Sequence, residues 1–443
     1  MTEANKLLVI GEVFVDYTLS NLGKEPKLRL GGVVHAARGL WAAGLDYAMA
    51  VVCPKYLVEQ TEDYLKHHGC SHFVWIGEVL GSPNVMVIGA PREVSDQDYD
   101  YLLREEKTVR TLDIGSELDS YTDVLVFPGE FNISSFKQCL SSSTRLSFDI
   151  AYDIDDPADL KSYRGSIGAL ILSTSSELFL NKGSEDISSL ITSLTSLDPE
   201  VILIKENRGG SRLFNAAGDC LEEIPAVLDI TVNSVGVGDV YSSVMVGLNS
   251  RGWIEAAWRG ARSATYYSQT TYPDDFKRDV CRDLKLSLDE LRSLGGTHLP
   301  WHDRKNFQIY LAAPDFSHVH KPEVEAVIAS LKYHNFSLRR PVLENGQLAP
   351  DSEHSDLCQM YEMDLNILRE CDVLFAIPLE KDPGTLVEIG IAINEGKPVV
   401  TYDPRKENNN TMVIAGSSVY SQDLDECLNG LFTEMSRLRN SLQ

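Results

Sequence analysis

Three features are scarce in this sequence, and each scarcity removes a class of protein. The eight cysteines include no C-x-x-C pair, which argues against a zinc site or a disulfide framework and favours reduced thiols in a cytoplasm. The apolar runs are short, and none approaches the length of a membrane span. Basic residues are outnumbered, with 40 Lys and Arg against 65 Asp and Glu and a formal net charge of −25. Nucleic acid polymers and membrane surfaces are therefore not expected as partners.

The length of 443 residues exceeds what one ordinary hydrophobic core accommodates. Short runs that are apolar at every position alternate with helical stretches, which predicts parallel strands covered on both faces. These runs are LLVIG (7–11), DVLVFPG (123–129), RLSFDI (145–150), ALILS (169–173) and VILIK (201–205). Segments 13–19 and 83–89 alternate more and predict a small flap. We predict α/β domains at 1–282 and 307–443, joined by a Gly- and Pro-containing linker at 283–306.

The stretch NSVGVGDVYSS (233–243) places two glycines directly before an acid. Gly236 and Gly238 allow successive backbone amides to point at one spot, and the apolar run that follows predicts a helix whose amino end attracts a phosphate or an oxyanion. Asp239 would then accept a proton from a hydroxyl that attacks a phosphoryl group. The alternative is a turn in which Asp239 only caps the helix.

The GVGD of this stretch resembles the GAGD signature of the PfkB or ribokinase family of ATP-dependent sugar and nucleoside kinases. Further segments follow the order of that family over roughly residues 1–275. They are GEVFVD (11–16), GGVVHAARGLWAAG (31–44), STSSE (173–177) and KENRGGS (205–211). The resemblance implies a ribokinase-like layered α/β domain with a small β flap, ATP and Mg²⁺ as cofactors, and a small-molecule sugar or nucleoside as substrate.

The same resemblance implies a role for each matching residue, with Asp239 as the catalytic base. The residues implied for ATP and phosphate binding are Gly236, Val237, Gly238, Lys205, Asn207, Gly210 and Glu177, and those implied for substrate binding are Asp16, Gly31, Gly32 and His35. Glu177 would hold Mg²⁺ through water. Thr174 and Asn233 stand where the family carries Asn and Asp.

A second stretch, EKDPGTLVEIGI (380–391), places Asp382 and Glu388 around a helix predicted to start near Thr385. At a helix mouth Glu388 is expected to stay ionised, because the helix field favours the anion relative to a reference pKa of about 4.3. An ionised carboxylate beside a sugar can attack the anomeric carbon. The alternative is a capping box in which Thr385 and Glu388 satisfy each other's backbone amides.

Residues 307–432 resemble the nucleoside 2-deoxyribosyltransferase family, which includes relatives that hydrolyse nucleoside monophosphates at the N-glycosidic bond. The matching segments are IYLAAPDF (309–316), MDLNILRECDVLFAIP (363–378) and DPGTLVEIGIAINEGKPVV (382–400). The resemblance implies a smaller, flavodoxin-like, doubly wound parallel sheet that needs no cofactor. It also implies a homo-oligomer in which a neighbouring subunit completes each site.

Carried over by position, this resemblance implies that Glu388 is the nucleophile that forms a glycosyl-enzyme and that Tyr310 orients it. Asp364 and Asp382 would handle the base and its proton, and Phe316 would contact the nucleoside. Ser417 and Ser418 are candidates for lining a 5′-phosphate pocket, although serines in a polar loop are usually only solvated.

Two functional hypotheses follow from the two motifs. The first is a bifunctional enzyme whose amino-terminal half phosphorylates a sugar or nucleoside hydroxyl and whose carboxy-terminal half cleaves or exchanges an N-glycosidic bond. The second is a sensor whose kinase-like half binds a nucleotide or nucleoside without transferring phosphate and regulates the other half or a partner. The residues at 174 and 233 motivate the sensor.

Overall fold

The structure is a computed structural model, and it describes residues 7–19, 25–150, 153–316, 321–349 and 351–442. The chain divides into two compact units. The amino-terminal unit comprises 1–93, 97–227 and 231–296, and the carboxy-terminal unit comprises 94–96, 228–230 and 297–443. None of the helices in the described ranges is long and apolar enough to cross a bilayer. All eight cysteines carry free thiols.

The described residues of the amino-terminal unit form a 13-stranded sheet. Its strands are β1 (Leu7–Thr18), β2 (Lys27–Gly32), β3 (Tyr47–Cys53), β4 (Cys70–Leu80), β5 (Val85–Ile88), β6 (Tyr99–Leu102), β7 (Thr108–Thr111), β8 (Asp123–Val126), β9 (Arg145–Asp149), β10 (Ile167–Ser173), β11 (Val201–Lys205), β12 (Ser211–Asn215) and β13 (Cys220–Ile224). Its α-helices are α1 (Val34–Ala42), α2 (Val58–His67), α3 (Ile133–Lys137), α4 (Glu177–Lys182), α5 (Ile187–Thr195), α6 (Val237–Gly247), α7 (Trp253–Gln269), α8 (Pro273–Asp283) and α9 (Leu288–Ser293).

Parallel strands form the centre of this sheet, in the order β11-β10-β9-β8-β1-β3-β4. The antiparallel strands β7, β12 and β13 lie at its edges. Every residue of β3, β8 and β11 is buried, as expected for strands that read as uniform apolar runs. The outer half of β1 pairs with β2 and β5, and β5 pairs with β6. The predicted α/β class and the predicted flap are thus confirmed.

The described residues of the carboxy-terminal unit form a five-stranded, all-parallel sheet. Its strands are β14 (Gln308–Ala312), β15 (Ser337–Arg339), β16 (Val373–Ala376), β17 (Val399–Tyr402) and β18 (Val419–Ser421), and its helices are α10 (Trp301–Arg304), α11 (Pro322–Tyr333), α12 (Pro341–Glu344), α13 (His354–Glu370), α14 (Pro383–Asn394), α15 (Thr411–Gly416) and α16 (Leu424–Leu442). The strand order β15-β14-β16-β17-β18 is the flavodoxin-like order, as predicted.

Two apolar clusters cover the two faces of this smaller sheet. Helices α11 and α16 pack on one face, with Val327 and Leu431 fully buried. Helices α13, α14 and α15 contribute to the other cluster, which contains Leu368, Ile389 and Val413. The sheet is therefore doubly wound, and the segment with the second motif lies on the face of α13 to α15.

The stretch 283–306, predicted as the linker between the two domains, includes helical segments. It contains α9, capped by a full capping box between Ser287 and Glu290, and it contains α10. Within the carboxy-terminal unit, Trp301 is buried and the guanidinium of Arg304 packs over the rings of Trp301 and Phe432.

Candidate active sites

The first motif lies at the amino end of α6, in the amino-terminal unit. Gly236 is the residue before the helix and has a left-handed φ of 82°. A Cβ at this position would lie 2.1 Å from Cγ of His35, so both the conformation and the close approach require glycine. No side chain caps the helix. The amide of Val237 donates to the carbonyl of Ser234, which leaves the first-turn amides of Gly238 and Asp239 for a ligand, and a helix amino end favours an anion.

Asp239 is the third residue of α6, not its cap, so the capping alternative does not describe this residue. Burial, together with the charges of Asp149 and Asp16, raises the pKa of Asp239 to about 7 against the lowering effect of Lys205. A carboxyl group with a pKa close to neutral pH suits a general base, because it is available in both protonation states.

Asp16 lies on β1 in the flap and is paired in register with Arg29 of β2. Its Oδ2 is 2.9 Å from Nε2 of His35 and 3.3 Å from Nε of Arg29. Burial alone would raise the pKa of Asp16, but His35, Arg29 and Arg38 outweigh it and hold the pKa below its usual value. A Cβ on Gly31 would lie 1.9 Å from Oδ1 of Asp16, so this carboxylate is packed directly against the backbone of β2.

The hydrogen bonds around His35 define its protonation. Nη1 of Arg38, which can only donate, lies 2.8 Å from Nδ1 of His35. Nδ1 therefore accepts, and the neutral ring carries its proton on Nε2 and donates it to Asp16. Burial lowers the pKa of His35 to about 4, against the raising effect of Asp16. His35 is thus a neutral donor that orients Asp16.

Lys205 ends β11, and its ammonium group lies beneath the first turn of α6. Nζ donates to Oδ2 of Asp149 (2.7 Å), to Oγ of Ser242 (3.1 Å) and to the carbonyl of Gly238 (3.3 Å). Asn207 and Gly210 form the turn between β11 and β12, where Asn207 donates to Glu93 and Gly210 adopts a φ of 95°. The structure thus brings Lys205 to the first motif, whereas Gly32, which ends β2, pairs with Val13 and lies against the carbonyl of Glu12.

Glu177 is the exposed first residue of α4, and its charge contributes to raising the pKa of Asp153. Among the described residues, no group of three or more His, Cys, Asp or Glu side chains is arranged to hold a metal ion. The donor set therefore does not form a preformed metal site of the protein. This agrees with the usual binding of Mg²⁺ through nucleotide phosphates and few carboxylates.

The second motif lies on α14 of the carboxy-terminal unit. The hydroxyl of Tyr310, a fully buried residue of β14, donates to Oε1 of Glu388 over 2.5 Å. The helix begins at Pro383, and its cap is Asp382, whose Oδ2 accepts from the amide (2.7 Å) and the hydroxyl (2.9 Å) of Thr385. The capping-box alternative is therefore wrong, because Glu388 points at Tyr310 rather than back at its own helix.

Glu388 is the sixth residue of α14, so it lies beyond the helix mouth. Burial raises the pKa of Glu388 to about 7; the bond from Tyr310 lowers it, and the charges of Asp364 and Asp382 raise it. The expectation that the helix field keeps this glutamate ionised was wrong, since the helix field is strong only in the first turn. Burial among acids dominates instead.

Asp364 projects from α13 and accepts from Nδ2 of Asn345 over 2.7 Å. Burial raises the pKa of Asp364 as well. Phe316 follows β14, and its carbonyl accepts from Nζ of Lys321 (2.8 Å). The structure therefore brings Tyr310, Asp364, Asp382 and Glu388 into one electrostatic group, and it places Phe316 at the carboxyl edge of the sheet.

Ser417 and Ser418 lie at the amino end of β18, not at the carboxyl edge. The hydroxyl of Ser417 donates to the carbonyl of Val413 (2.7 Å) and lies 2.8 Å from that of Thr401. The hydroxyl of Ser418 accepts from the amide of Val399, the first residue of β17. Within this chain both hydroxyls bond to the protein, and the role of the two serines in a phosphate pocket stays a prediction.

Sequence reasoning missed several charged residues that shape the two sites. Asp149 lies within a quoted apolar run and ends β9, and an acid at the carboxyl end of a parallel strand is a recognisable signal. Asp315 is buried between Lys321 and Arg340, which lie 2.7 Å and 2.6 Å from its oxygens. Nothing in the sequence pairs these three residues, because their contacts join separate segments.

The folds and the two sites define a protein with two α/β units, each of which holds a half-buried carboxyl group with a pKa near 7. Residues 309–433 match the family model described as nucleoside 2-deoxyribosyltransferase. The match covers the segments that carry Tyr310, Asp364, Asp382 and Glu388. A comparison with curated proteins gives no significant match.

Several solved structures align with the chain. They include ribokinase of Arabidopsis thaliana complexed with ribose and ATP (16% identity, 64% of this chain and 100% of that chain, TM-score 0.45), a nucleoside kinase of Methanocaldococcus jannaschii (13%, 63% and 98%, 0.46) and a nucleoside kinase of Burkholderia thailandensis in complex with inosine (13%, 62% and 94%, 0.45). These identities and TM-scores are too low to carry an argument. The interpretation of the amino-terminal unit therefore depends on its own geometry.

Proposed function

We propose that the chain is a bifunctional nucleoside-processing enzyme. Its carboxy-terminal unit cleaves or exchanges the N-glycosidic bond of a nucleoside or nucleotide, and its amino-terminal unit transfers a phosphoryl group from ATP to a sugar or nucleoside hydroxyl. The observation that carries the first activity is the bond from Tyr310 to Glu388 inside a group of half-buried acids. The family match over 309–433 supports the same activity.

The chemistry of glycosyl transfer suits this group of acids. As the N-glycosidic bond breaks, positive charge develops on the sugar, and the carboxylates of Glu388, Asp364 and Asp382 favour it electrostatically. Ionised Glu388 then bonds to the anomeric carbon while the base leaves with the bond electrons and takes up a proton. Water hydrolyses the glycosyl-enzyme, or a second base accepts the sugar, and Glu388 is released in either case.

The amino-terminal site is suited to bind a negatively charged ligand. The uncapped first turn of α6 and the ammonium of Lys205 create a positive environment, which favours the phosphates of ATP. Asp239, ionised near neutral pH, takes the proton of the acceptor hydroxyl as its oxygen attacks the terminal phosphorus and ADP leaves. Asp16, oriented by His35, would bind a hydroxyl of the acceptor. Mg²⁺ would enter with the nucleotide, and Glu177 remains the residue proposed to reach it through water.

A homo-oligomer belongs to this proposal. The face formed by α13, α14 and α15 exposes several large apolar side chains, among them Leu357 (51%), Tyr361 (52%), Val387 (56%) and Met412 (76%). Val387 directly precedes Glu388, so a second copy seated on this face would lie beside the glycosidic site. Free thiols at all eight cysteines are compatible with the proposed cytoplasmic location.

The direct test incubates the purified chain with nucleosides and nucleoside 5′-monophosphates, with and without Mg-ATP, and follows free base and ADP. Glu388→Gln should abolish base release and leave ADP formation intact, and Asp239→Asn should do the reverse. Each variant is thus the control for the other. Base release by the Glu388 variant, or undiminished ADP formation by the Asp239 variant, would contradict the corresponding assignment.

One observation favours a second candidate, the nucleotide or nucleoside sensor. Thr174 is fully buried and its hydroxyl has no hydrogen-bond partner, so this side chain does not reach outward as a metal-site residue would. Asn233 uses its carbonyl oxygen to accept from the amide of Val235. Saturable ATP binding without ADP formation, for every nucleoside and sugar tested, would favour the sensor.

A further inference from the structure

The ammonium group of Lys205 is fully used by the protein. It has three protons, and three oxygens lie within hydrogen-bonding distance: Oδ2 of Asp149, Oγ of Ser242 and the carbonyl of Gly238. Lys205 is itself buried, with 8% of its surface exposed. A lysine with no proton left over is poorly suited to bind a phosphate directly, which is the role that the sequence implied.

Asp149 anchors this ammonium. It ends β9, is 2% exposed, and accepts from both Lys205 (2.7 Å) and the hydroxyl of Ser242 (2.6 Å) through the same oxygen, Oδ2. Its other oxygen, Oδ1, is buried and has no hydrogen-bond partner. Ser242 lies one turn after Gly238 on α6, so the three side chains connect the ends of two parallel strands to the first turn of the helix.

We propose that Lys205 is a positioning residue for phosphoryl transfer. Its ammonium group is anchored by Asp149 and Ser242 and holds the Gly238 carbonyl. This contact aims the amide and the carboxyl group of Asp239 at the phosphoryl group. This inference rests on the proposed kinase activity. The physical reason is the planar peptide bond between Gly238 and Asp239. In a trans peptide the C=O and N–H groups point in opposite directions, so a cation that fixes the carbonyl on one side fixes the amide on the other.

In the same arrangement Lys205 and Asp149 have opposite effects on the pKa of Asp239, the proposed catalytic base. The charged groups that face Asp239 are Asp149 of β9, Lys205 of β11 and Asp16 of β1. Lys205 lowers the pKa of Asp239, whereas Asp149 raises it. Removal of either partner breaks the same ion pair, but only removal of the lysine should disfavour the ionised base.

The experiment measures kcat, KM for ATP and the pH dependence of kcat for Lys205→Met and Asp149→Asn. For Lys205→Met we expect kcat to fall about 100-fold, the scale of losing one aligned donor, with KM for ATP changed by less than about threefold. The acidic limb of the pH profile of kcat should move to higher pH in Lys205→Met. In Asp149→Asn the same limb should move to lower pH. A residue that merely stabilises the fold would give both variants the same direction of change.

Lys182→Met is the matched control, because Lys182 pairs with Asp156 on the exposed surface of the same unit. It should leave kcat, KM and the pH profile unchanged. If Lys205→Met does not fold, Lys205→Arg keeps the charge but alters the three-proton geometry. For this variant we expect a reduced kcat and an acidic limb of the pH profile at the wild-type position. An unchanged kcat would contradict the positioning role of Lys205.

A tenfold rise in KM for ATP with kcat unchanged would overturn the proposal, since it would make Lys205 a phosphate-binding residue. Failure of the kinase proposal itself is distinguishable, because the wild-type chain would then form no ADP. In that case the titration of the Asp239 carboxyl carbon, followed by ¹³C NMR across pH in the two variants, tests the proposed arrangement of Lys205 and Asp149 around Asp239. Opposite displacements of its titration in the two variants support the arrangement, and equal or absent displacements overturn it.

Discussion

The two candidate sites raise the pKa of a half-buried carboxyl group to about the same value by different means. In the amino-terminal unit the neighbouring carboxylates are held by cations, Asp16 by Arg29 and Asp149 by Lys205. In the carboxy-terminal unit Glu388, Asp364 and Asp382 accept from neutral donors, and no cation pairs with them among the described residues. The carboxylates of the amino-terminal site are thus paired with cations, whereas those of the carboxy-terminal site leave an excess of negative charge.

This difference indicates what each site is built to stabilise. A site with balanced charges and free helix amides tolerates the added negative charge of a nucleotide. A site with three acids and no paired cation would repel phosphates placed next to Glu388 but would favour a sugar on which positive charge develops. The two activities are therefore assigned by electrostatics as well as by resemblance, and the comparison can be tested from both sides.

The largest expected effect is a pH dependence that both sites share. Asp239 and Glu388 act in their ionised forms, and both have a pKa of about 7, so both activities should rise with pH. At pH 5 only about 1% of such a group is ionised, and each rate should be about 100-fold below its alkaline plateau. ADP formation and base release measured from pH 5 to pH 9 check this. A rate that is level between pH 5 and pH 7 would show that the group in that site is already ionised.

The next effect separates the units, because it concerns His35 alone. Its pKa is about 4 in the folded state and about 6.5 when unfolded, so below pH 6.5 the unfolded chain binds the proton and the folded chain does not. This contribution to stability is therefore lost as pH falls, by about 2 kcal/mol between pH 8 and pH 5. Hydrogen exchange of β1 at the two pH values should show the loss, and His35→Asn should remove it. An equal loss in the variant would assign it to other groups.

The sequence allowed prediction of those features that depend on local pattern. Strands such as β3 are apolar at every position, and the wide spacing of such runs implies parallel pairing, so both sheets could be predicted. The residue that caps α14 could not be predicted. Glu380 and Lys381 adopt left-handed φ values of 55° and 53°, which turn the chain so that Asp382 becomes the cap and Pro383 begins the helix. Such conformations are uncommon for these residue types, and no local signal announces them.

The site contacts were unpredictable for a related reason. Tyr310 and Glu388 meet only because β14 and α14 pack together, and the family resemblance, rather than any spacing rule, brought the two residues to attention. The raised pKa of Glu388 likewise depends on burial and on Asp364 of a third element. Pattern reasoning sees one segment at a time, whereas these properties are produced by three segments together.

A smaller effect probes the neutral donors of the carboxy-terminal site. Tyr310→Phe removes the hydroxyl that lowers the pKa of Glu388, so that pKa should rise further above its ordinary value. Base release at pH 6 should fall about tenfold and recover toward the wild-type rate at pH 9, because one pKa unit changes the ionised fraction by that factor. ADP formation is the internal control and should not change. An equal loss at every pH would make Tyr310 important for geometry rather than for the charge of Glu388.

The smallest effect distinguishes two roles for Asp382. As the cap of α14, it should contribute about 1 kcal/mol to the stability of the carboxy-terminal unit, which Asp382→Ala would lose and Asp382→Asn would largely keep, since asparagine caps helices equally well. As a carboxylate that handles the proton of the leaving base, it should be irreplaceable by asparagine. We therefore expect the Asn variant to lose base release at nearly unchanged stability, measured by urea unfolding. Full activity in that variant would leave the cap as the only function of Asp382, and the acid that serves the base would then be Asp364.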